Sequence, residues 1–287
     1  CAVVQRRHAA GAEGRVACRY GPGVEDRALS RMKGPKLMPP CPGWKEDLPR
    51  PDESTVVPPA LGFDTPNHQN DVFLELSRAS ARARGWLIWF SPVQGILTLI
   101  ICWNYLSAER TLEPEEWLMF IAGTFVGVWS FLFCVKVETA PPRDLPLRFN
   151  RVRQRLYAYN FKYRWWNLFE EWRVVPVAYD WSQVRAERWS RSHFTAQGGA
   201  IIQFGVELSI VKPGTNQVID RFPLTAMGAD EHAWAYVCTY MQQGPDALPP
   251  PGPPRDHNDV LWCNVAMLLA PKVEWPAEMD LESRTAP

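Results

Sequence analysis

The sequence predicts an α+β membrane protein: a hairpin of two transmembrane helices, then a cytoplasmic antiparallel β-sheet or partial barrel covered by a late helix. Three observations carry this. Residues 85–106 and 117–135 are two blocks without a single charge; the stretch after Pro142 alternates with period two; and residues 230–243 place Trp234, Val237, Cys238 and Met241 at helical spacing. At about 1.5 Å per residue the blocks cover about 33 and about 28 Å, against a hydrocarbon core of roughly 30 Å.

Composition sets the outer bounds. The 287 residues carry no net charge and are 46% apolar, which gives no electrostatic case for a nucleic-acid partner. Seven cysteines, at 1, 18, 41, 102, 134, 238 and 263, form no C-x-x-C pair. Two of them fall inside the apolar blocks, so a reducing compartment fits better than a disulfide framework.

From the amino end, residues 1–31 are rich in Arg, Ala and Gly and lack the apolar core of a signal peptide. They read as a non-native or disordered extension, with Met32 or Met38 as a natural start. The stop at Pro287 shows no structural punctuation, which fits a fragment. Residues 32–84 read as an N-terminal cytoplasmic segment.

The hairpin occupies residues 85–135. Trp86, Trp89, Trp103, Tyr105, Trp117 and Trp129 gather towards the ends of the blocks, as interfacial belts require. Basic residues flank the hairpin (Arg78, Arg82 and Arg84 before it, Lys136 and Arg143 after it), whereas the connecting loop holds Arg110 among four glutamates. By the positive-inside rule both termini are cytoplasmic. Gly123 and Gly127 form a G-x-x-x-G step, read as packing within the hairpin in preference to self-association. Gln94 and Asn104 read as interhelical hydrogen-bonding groups, Asn104 alternatively as an interfacial residue.

Residues 141–248 form the β-rich domain. Residues 147–150 supply a first strand. Residues 155–164 follow, with Tyr157, Tyr159, Phe161 and Tyr163 at every second position. Residues 172–179 are a strand that Pro176 places at an edge or bulge, and residues 180–182 a turn. Residues 200–211 and 217–224 pair through the PGTN turn at 213–216. Asp230 opens the covering helix and Gly244-Pro245 ends it. The arrangement resembles the pleckstrin-homology-like architecture, an analogy of fold that gives no function. Residues 249–287 are a Pro-rich linker and a tail, in which the apolar run 260–270 is too short to span and reads either as a buried helix or as a surface-lying segment.

No catalytic motif is present: neither a P-loop, nor G-x-G-x-x-G, nor G-x-S-x-G, nor H-E-x-x-H. Asp230, Glu231 and His232 are consecutive and point apart on a helix, which suits capping better than metal binding. Glu170 and Glu171, and His193 among serines, read as solvated. The expectation is a protein that is not an enzyme and carries no metal or cofactor. Charge near the hairpin is the stronger signal. Between Lys136 and Arg173 nine basic residues face four acidic ones. Arg148, Arg151, Arg153, Arg155, Lys162 and Arg164 are expected to form a membrane-proximal basic surface against anionic lipid.

Four motifs, RFNRVRQRLYAY at 148–159, AYDW at 178–181, VIDRFPL at 218–224 and AWAYVCTYMQQGPDALP at 233–249, together resemble a bacterial domain-of-unknown-function family numbered 6708, whose two-helix anchor is also similar. The resemblance implies an accessory of type VI secretion loci in the bacterial inner membrane and carries over no catalytic residue. The expected function is effector immunity through a protein partner, or alternatively a membrane-docked adaptor or anionic-lipid-binding scaffold. The connecting loop is too small for a standard interface of about 800 Å² per partner.

Overall fold

The computed structural model describes residues 34–62, 65–78, 84–107, 113–194, 199–225, 228–253 and 256–287. The expectations for residues 1–31, Arg82, Glu109 and Arg110 lie outside them. Both uncharged blocks are helical: α1 spans Trp86–Leu106 and α2 spans Pro114–Thr139. α2 is longer than its uncharged block at both ends, continuing through Thr139 and starting upstream where its start signals lie. Pro114 occupies the first turn, and Glu113 and Glu116 form a capping box in which the Glu113 amide donates to Glu116 at 3.1 Å. Pro92 lies inside α1, where it removes the amide that would bond the Ile88 carbonyl. The Ser91 hydroxyl donates to that carbonyl at 2.9 Å, so the helix continues.

The helices run antiparallel, in contact from Tyr105 and Phe120 (ring centroids 5.0 Å apart) to Gly95, which meets Phe131. Gly127 is buried, and a Cβ there would fall 2.5 Å from Thr98 Oγ1. Gly123 faces open space, so only half of the glycine step packs the hairpin. Asn104 is also not an interhelical group, since its amide donates to Ile100 of its own helix at 2.8 Å. Both helices are long and apolar enough to cross a membrane. Their apolar side chains stay exposed, Leu99 at 70% and Phe125 at 64%, unlike those of a soluble core helix.

Three strands precede the hairpin: β1 (Trp44–Asp47), β2 (His68–Gln69) and β3 (Phe73–Leu76). Six follow it: β4 (Leu147–Asn150), β5 (Arg155–Lys162), β6 (Arg173–Asp180), β7 (Val184–Phe194), β8 (Ala200–Val211) and β9 (Val218–Pro223). They form two antiparallel sheets, neither closed, in the orders β1-β7-β8-β9 and β2-β3-β4-β5-β6. The fold is thus α+β. β6 is an edge strand, as Pro176 demands. Residues 32–84 are no separate segment, because β3 pairs with β4 (Phe73 opposite Asn150, Leu76 opposite Leu147) and β1 pairs with β7.

Leu74, Phe149 and Leu156 of one sheet and Val206, Leu208 and Ile210 of the other share one core with Trp181 and Trp234. The helix α3 (Glu231–Gln243) contributes Trp234, Val237, Cys238 and Met241 to it, and Asp230 caps its start by accepting from the His232 amide at 3.0 Å. Residues 233–241 of α3 are buried all round, more than an amphipathic helix requires. The stretch before the hairpin packs over its other face: Trp234 donates to the Pro49 carbonyl at 2.9 Å and Tyr240 to that of Asn70 at 2.7 Å.

The tail folds as α4 (Val265–Leu269) and α5 (Ala277–Arg284). Leu156 and Ala158 of β5 point into the core, while Tyr157 and Tyr159 are buried on the opposite face. There the Tyr159 ring meets Trp275 at 5.1 Å, and the side chains of Arg148 and Arg155 reach α5. The tail therefore covers the second face of the five-stranded sheet, and the β-rich domain extends well beyond residues 141–248.

Candidate functional site

The region richest in specific chemistry is the base of the hairpin, where α1 and α2 join the β-domain. α1 begins at Gly85, which adopts φ 108° and has no capping side chain of its own. Glu138 of α2 supplies the cap: its carboxylate accepts from the Gly85 amide at 2.8 Å and the Leu87 amide at 3.0 Å. In return, Arg84 donates to the Glu138 carbonyl at 2.7 Å, the Pro142 carbonyl at 2.6 Å and the Pro141 carbonyl at 2.5 Å. An anion sits at the positive end of one helix dipole and a cation at the negative end of the other, so each helix terminates the other. Asn264 closes the latch by donating to the Arg84 carbonyl at 3.1 Å, and its Oδ1 lies 2.6 Å from where a Cβ on Gly85 would stand. Only glycine meets both the backbone conformation and the space.

Two further cations hold chain segments against this base. Lys136 donates to the carbonyls of Leu168 at 2.5 Å and Glu170 at 2.8 Å and lies 4.9 Å from the Trp172 ring centroid. Arg143 donates to the carbonyls of Asn258 at 2.8 Å, Met267 at 3.1 Å and Leu268 at 3.2 Å. The run 260–270 is thereby held at the hairpin base, with Ala266 and Met267 buried and Val265 and Leu269 exposed.

Beneath the base lies a buried ionic cluster. Arg148, fully buried, pairs with Glu75 at 2.5 Å and Asp280 at 2.6 Å, bonds Ser283 at 2.9 Å, and stacks 4.6 Å from the Trp275 ring centroid. His257 hydrogen-bonds Glu75 at 3.1 Å. Burial pushes the Glu75 carboxyl up, but the His257 hydrogen bond and the Arg148 charge outweigh it and hold Glu75 at about 2. Burial lowers His257, but the bond to Glu75 and its charge leave it above the ordinary value. The four-stranded sheet holds a counterpart, in which fully buried Glu187 pairs with Arg221 at 2.9 Å and accepts the Ser209 hydroxyl.

The six residues expected on a basic surface therefore divide. Arg148 is interior, because β4 is covered on both faces. Arg155 pairs with Glu282 at 2.7 Å, and Arg153 donates to the carbonyls of Thr285 at 3.0 Å and Ala286 at 2.9 Å. Arg151 is half-buried beside Gly244. Lys162 and Arg164 remain exposed, joined by Arg173 across from Lys162. What looked like one basic surface is mostly cations binding carbonyls and carboxylates of segments distant in the chain. Glu138, Asn264 and His257, which complete the base, carried no local signal because each acts on a segment far away in sequence.

The catalytic fragments are not brought together. Asp230 caps α3, Glu231 faces Arg188 at 3.6 Å, and His232 bonds the Pro58 carbonyl at 2.9 Å. His193 and Glu171 are exposed. Burial, reinforced by the charge of Glu187, pushes the Cys41 thiol up to about 12, which keeps it protonated and unreactive at neutral pH. Among the described residues no group of three His, Cys, Asp or Glu side chains could hold a metal ion.

No curated protein and no solved structure matches the chain. A model of a family of unknown function, DUF6708, matches residues 124–287, from the middle of α2 through the whole tail. That is more than half of the chain, and the protein belongs to this family.

Proposed function

We propose that the chain is an integral membrane protein whose α1–α2 hairpin crosses a bilayer twice and holds a non-enzymatic binding domain at the cytoplasmic face. The exposure of apolar side chains around both long helices carries this reading, since water would disfavour that surface and lipid would not. The pairing of β3 with β4 supports a common side for both ends of the hairpin, because the two strands precede and follow it. The charge balance around the hairpin favours the cytoplasm for that side. The protein should stay in the membrane fraction through an alkaline carbonate wash. Reporters fused at either end should be active only in the cytoplasm, and periplasmic activity at one end would overturn the topology.

The sequence resemblance, which implies a companion of type VI secretion genes in a bacterial inner membrane, favours effector immunity. The short α1–α2 connection leaves the β-domain as the place to meet a large partner. The outer part of the β7–β8 hairpin supports such a role: residues 190–194 and 200–204 pair with each other beyond the reach of the β1 and β9 strand pairing and expose Ile201, Ile202 and Phe204. Expression of the chain should protect a susceptible cell from the cognate effector, and Ile202→Glu with Phe204→Glu should abolish protection at unchanged protein level. Full killing in the presence of the native chain would remove the immunity reading. The two open sheets with α3 on a shared core fit a pleckstrin-homology-like architecture, which by itself carries no function.

A second reading, a membrane-docked adaptor or lipid-binding scaffold, is favoured by the exposed Lys162, Arg164 and Arg173. Native mass spectrometry of the detergent-solubilised chain should then retain anionic phospholipid over zwitterionic phospholipid, and equal retention of both would count against it.

A further inference from the structure

The connection between β5 and β6, residues 163–172, exposes Tyr163, Trp165, Trp166 and Phe169, the last at 85%. Loops between antiparallel strands are ordinarily polar, so aromatic surface at this density calls for a cover. The position of the loop along α2 shows what covers it. Lys136, the first charged residue after the uncharged block, holds the Leu168 and Glu170 carbonyls, and the Phe169 ring meets the Trp129 ring edge-on at 5.9 Å. Trp129 precedes Lys136 by seven residues, about 10 Å along the helix axis at about 1.5 Å per residue. Phe169 therefore reaches well past the level at which α2 acquires charge, alongside the exposed apolar flank that includes Phe125.

The rim of the loop has the complementary chemistry. Lys162 and Arg173 face each other across β5 and β6 at its base, and Arg164 lies 5.9 Å from the Trp166 ring centroid and 3.7 Å from the Glu170 carboxylate, so these three cations exceed Glu170 and the exposed Glu171 by one charge. All three are exposed, in the belt where headgroups would stand. A second non-spanning element lies at a similar height on α1. Leu261 in the preceding turn and Val265, Leu268 and Leu269 of α4 are exposed, and Val265 lines an apolar groove with Ile88, Trp89 and Pro92, within the first two turns of α1.

We propose that residues 163–172 form a membrane-inserting loop. Its aromatic tip enters the leaflet through which α2 emerges, its rim of Lys162, Arg164 and Arg173 binds anionic phospholipid headgroups, and residues 261–269 lie in the same interface. The occupant is the bilayer because the exposed surface is continuous with the apolar flank of α2 and ends in a cationic rim, the pattern of interfacial elements. The proposal rests on the reading of the hairpin as membrane-spanning, and its test separates the two.

The full chain, with its seven native cysteines replaced and one environment-sensitive fluorophore placed at Phe169→Cys, Phe125→Cys or Thr215→Cys, is reconstituted into vesicles of phosphatidylcholine and phosphatidylglycerol containing nitroxide lipids. The label at 169 should be quenched several-fold by nitroxides near the headgroup, that at 125 by nitroxides deep in the acyl chain, and that at 215 by neither. Quenching at 125 with none at 169 would overturn the loop insertion and leave the spanning hairpin intact. Absence of quenching at 125 would overturn both. A label at 169 shielded from lipid nitroxide and aqueous iodide alike would mean that protein covers the loop, which also overturns the proposal. In the unmodified chain, a photoactivatable acyl-chain lipid should label peptides from 163–172 as well as from α1 and α2, and adducts confined to the helices would refute it independently.

Discussion

Glu138 and Arg84 each satisfy the end of a helix to which they do not belong, so their removal should be felt at the junction and not along the helices. Glu138→Ala leaves the Gly85 and Leu87 amides without their acceptor and is expected to cost about 1–2 kcal/mol, read as a lower melting temperature of the detergent-solubilised chain. Gly127→Ala, which puts a methyl 2.5 Å from the Thr98 hydroxyl, should cost about 1–3 kcal/mol. Gly123→Ala, into open space, should stay within about 0.5 kcal/mol. The sequence shows a G-x-x-x-G step but not which of its glycines faces a partner, because that depends on the rotation of α1 against α2. His257 tests the ionic cluster through pH. Its folded value is raised, so its stabilising contact with Glu75 is fully present below the ordinary histidine value of 6.5 and is lost as pH rises through the raised value. Glu75, held at about 2 against an ordinary 4.5, gives its share above 4.5 and loses it as pH falls towards 2. The stability difference between the native chain and His257→Gln should therefore be largest between about pH 4.5 and 6.5 and shrink at alkaline pH. A difference constant up to pH 9 would count against a charged His257.

At the scale of elements, α1, α2, β5, β6, β8, β9 and α3 were legible because each carries its own period or its own stop signals. β7 was not, because only Val184 and Ala186 alternate into the core before Arg188, Ser190 and Ser192 take over. β1, β2 and β3 are short, and long-range pairing defines them, which no local window contains. α5 escaped notice for a related reason: its inward face is polar, with Asp280 and Ser283 answering Arg148. The strength of that attachment follows from burial. Glu75→Ala leaves Arg148 buried without its enclosed partner and should cost about 3–5 kcal/mol, whereas Asp280→Ala removes a carboxylate one-third exposed and should cost about 1–2 kcal/mol. Thermal denaturation of the two variants under one set of conditions checks both the order and the gap.

For the molecule as a whole, β-domain and hairpin are interdependent, since strands before the helices complete both sheets made after them. A chain beginning after residue 78 should still enter membranes but leave β4 and β7 as open edges, each paired on one side only, so limited proteolysis should cut within residues 147–224 far faster than in the native chain. Protection equal to the native chain would mean that residues 141–248 fold alone. The same interleaving bears on how the protein is made. Roughly 70 residues separate Leu76 from Leu147, its partner across the β3–β4 ladder, and at about 5–20 residues per second a ribosome needs roughly 4–14 s to supply them. On the proposed topology the leading strands would wait through that interval with open edges while the hairpin is threaded into lipid, so insertion would precede closure of the sheets, and a delay at the translocon would lengthen the exposure of the nascent edge to chaperones.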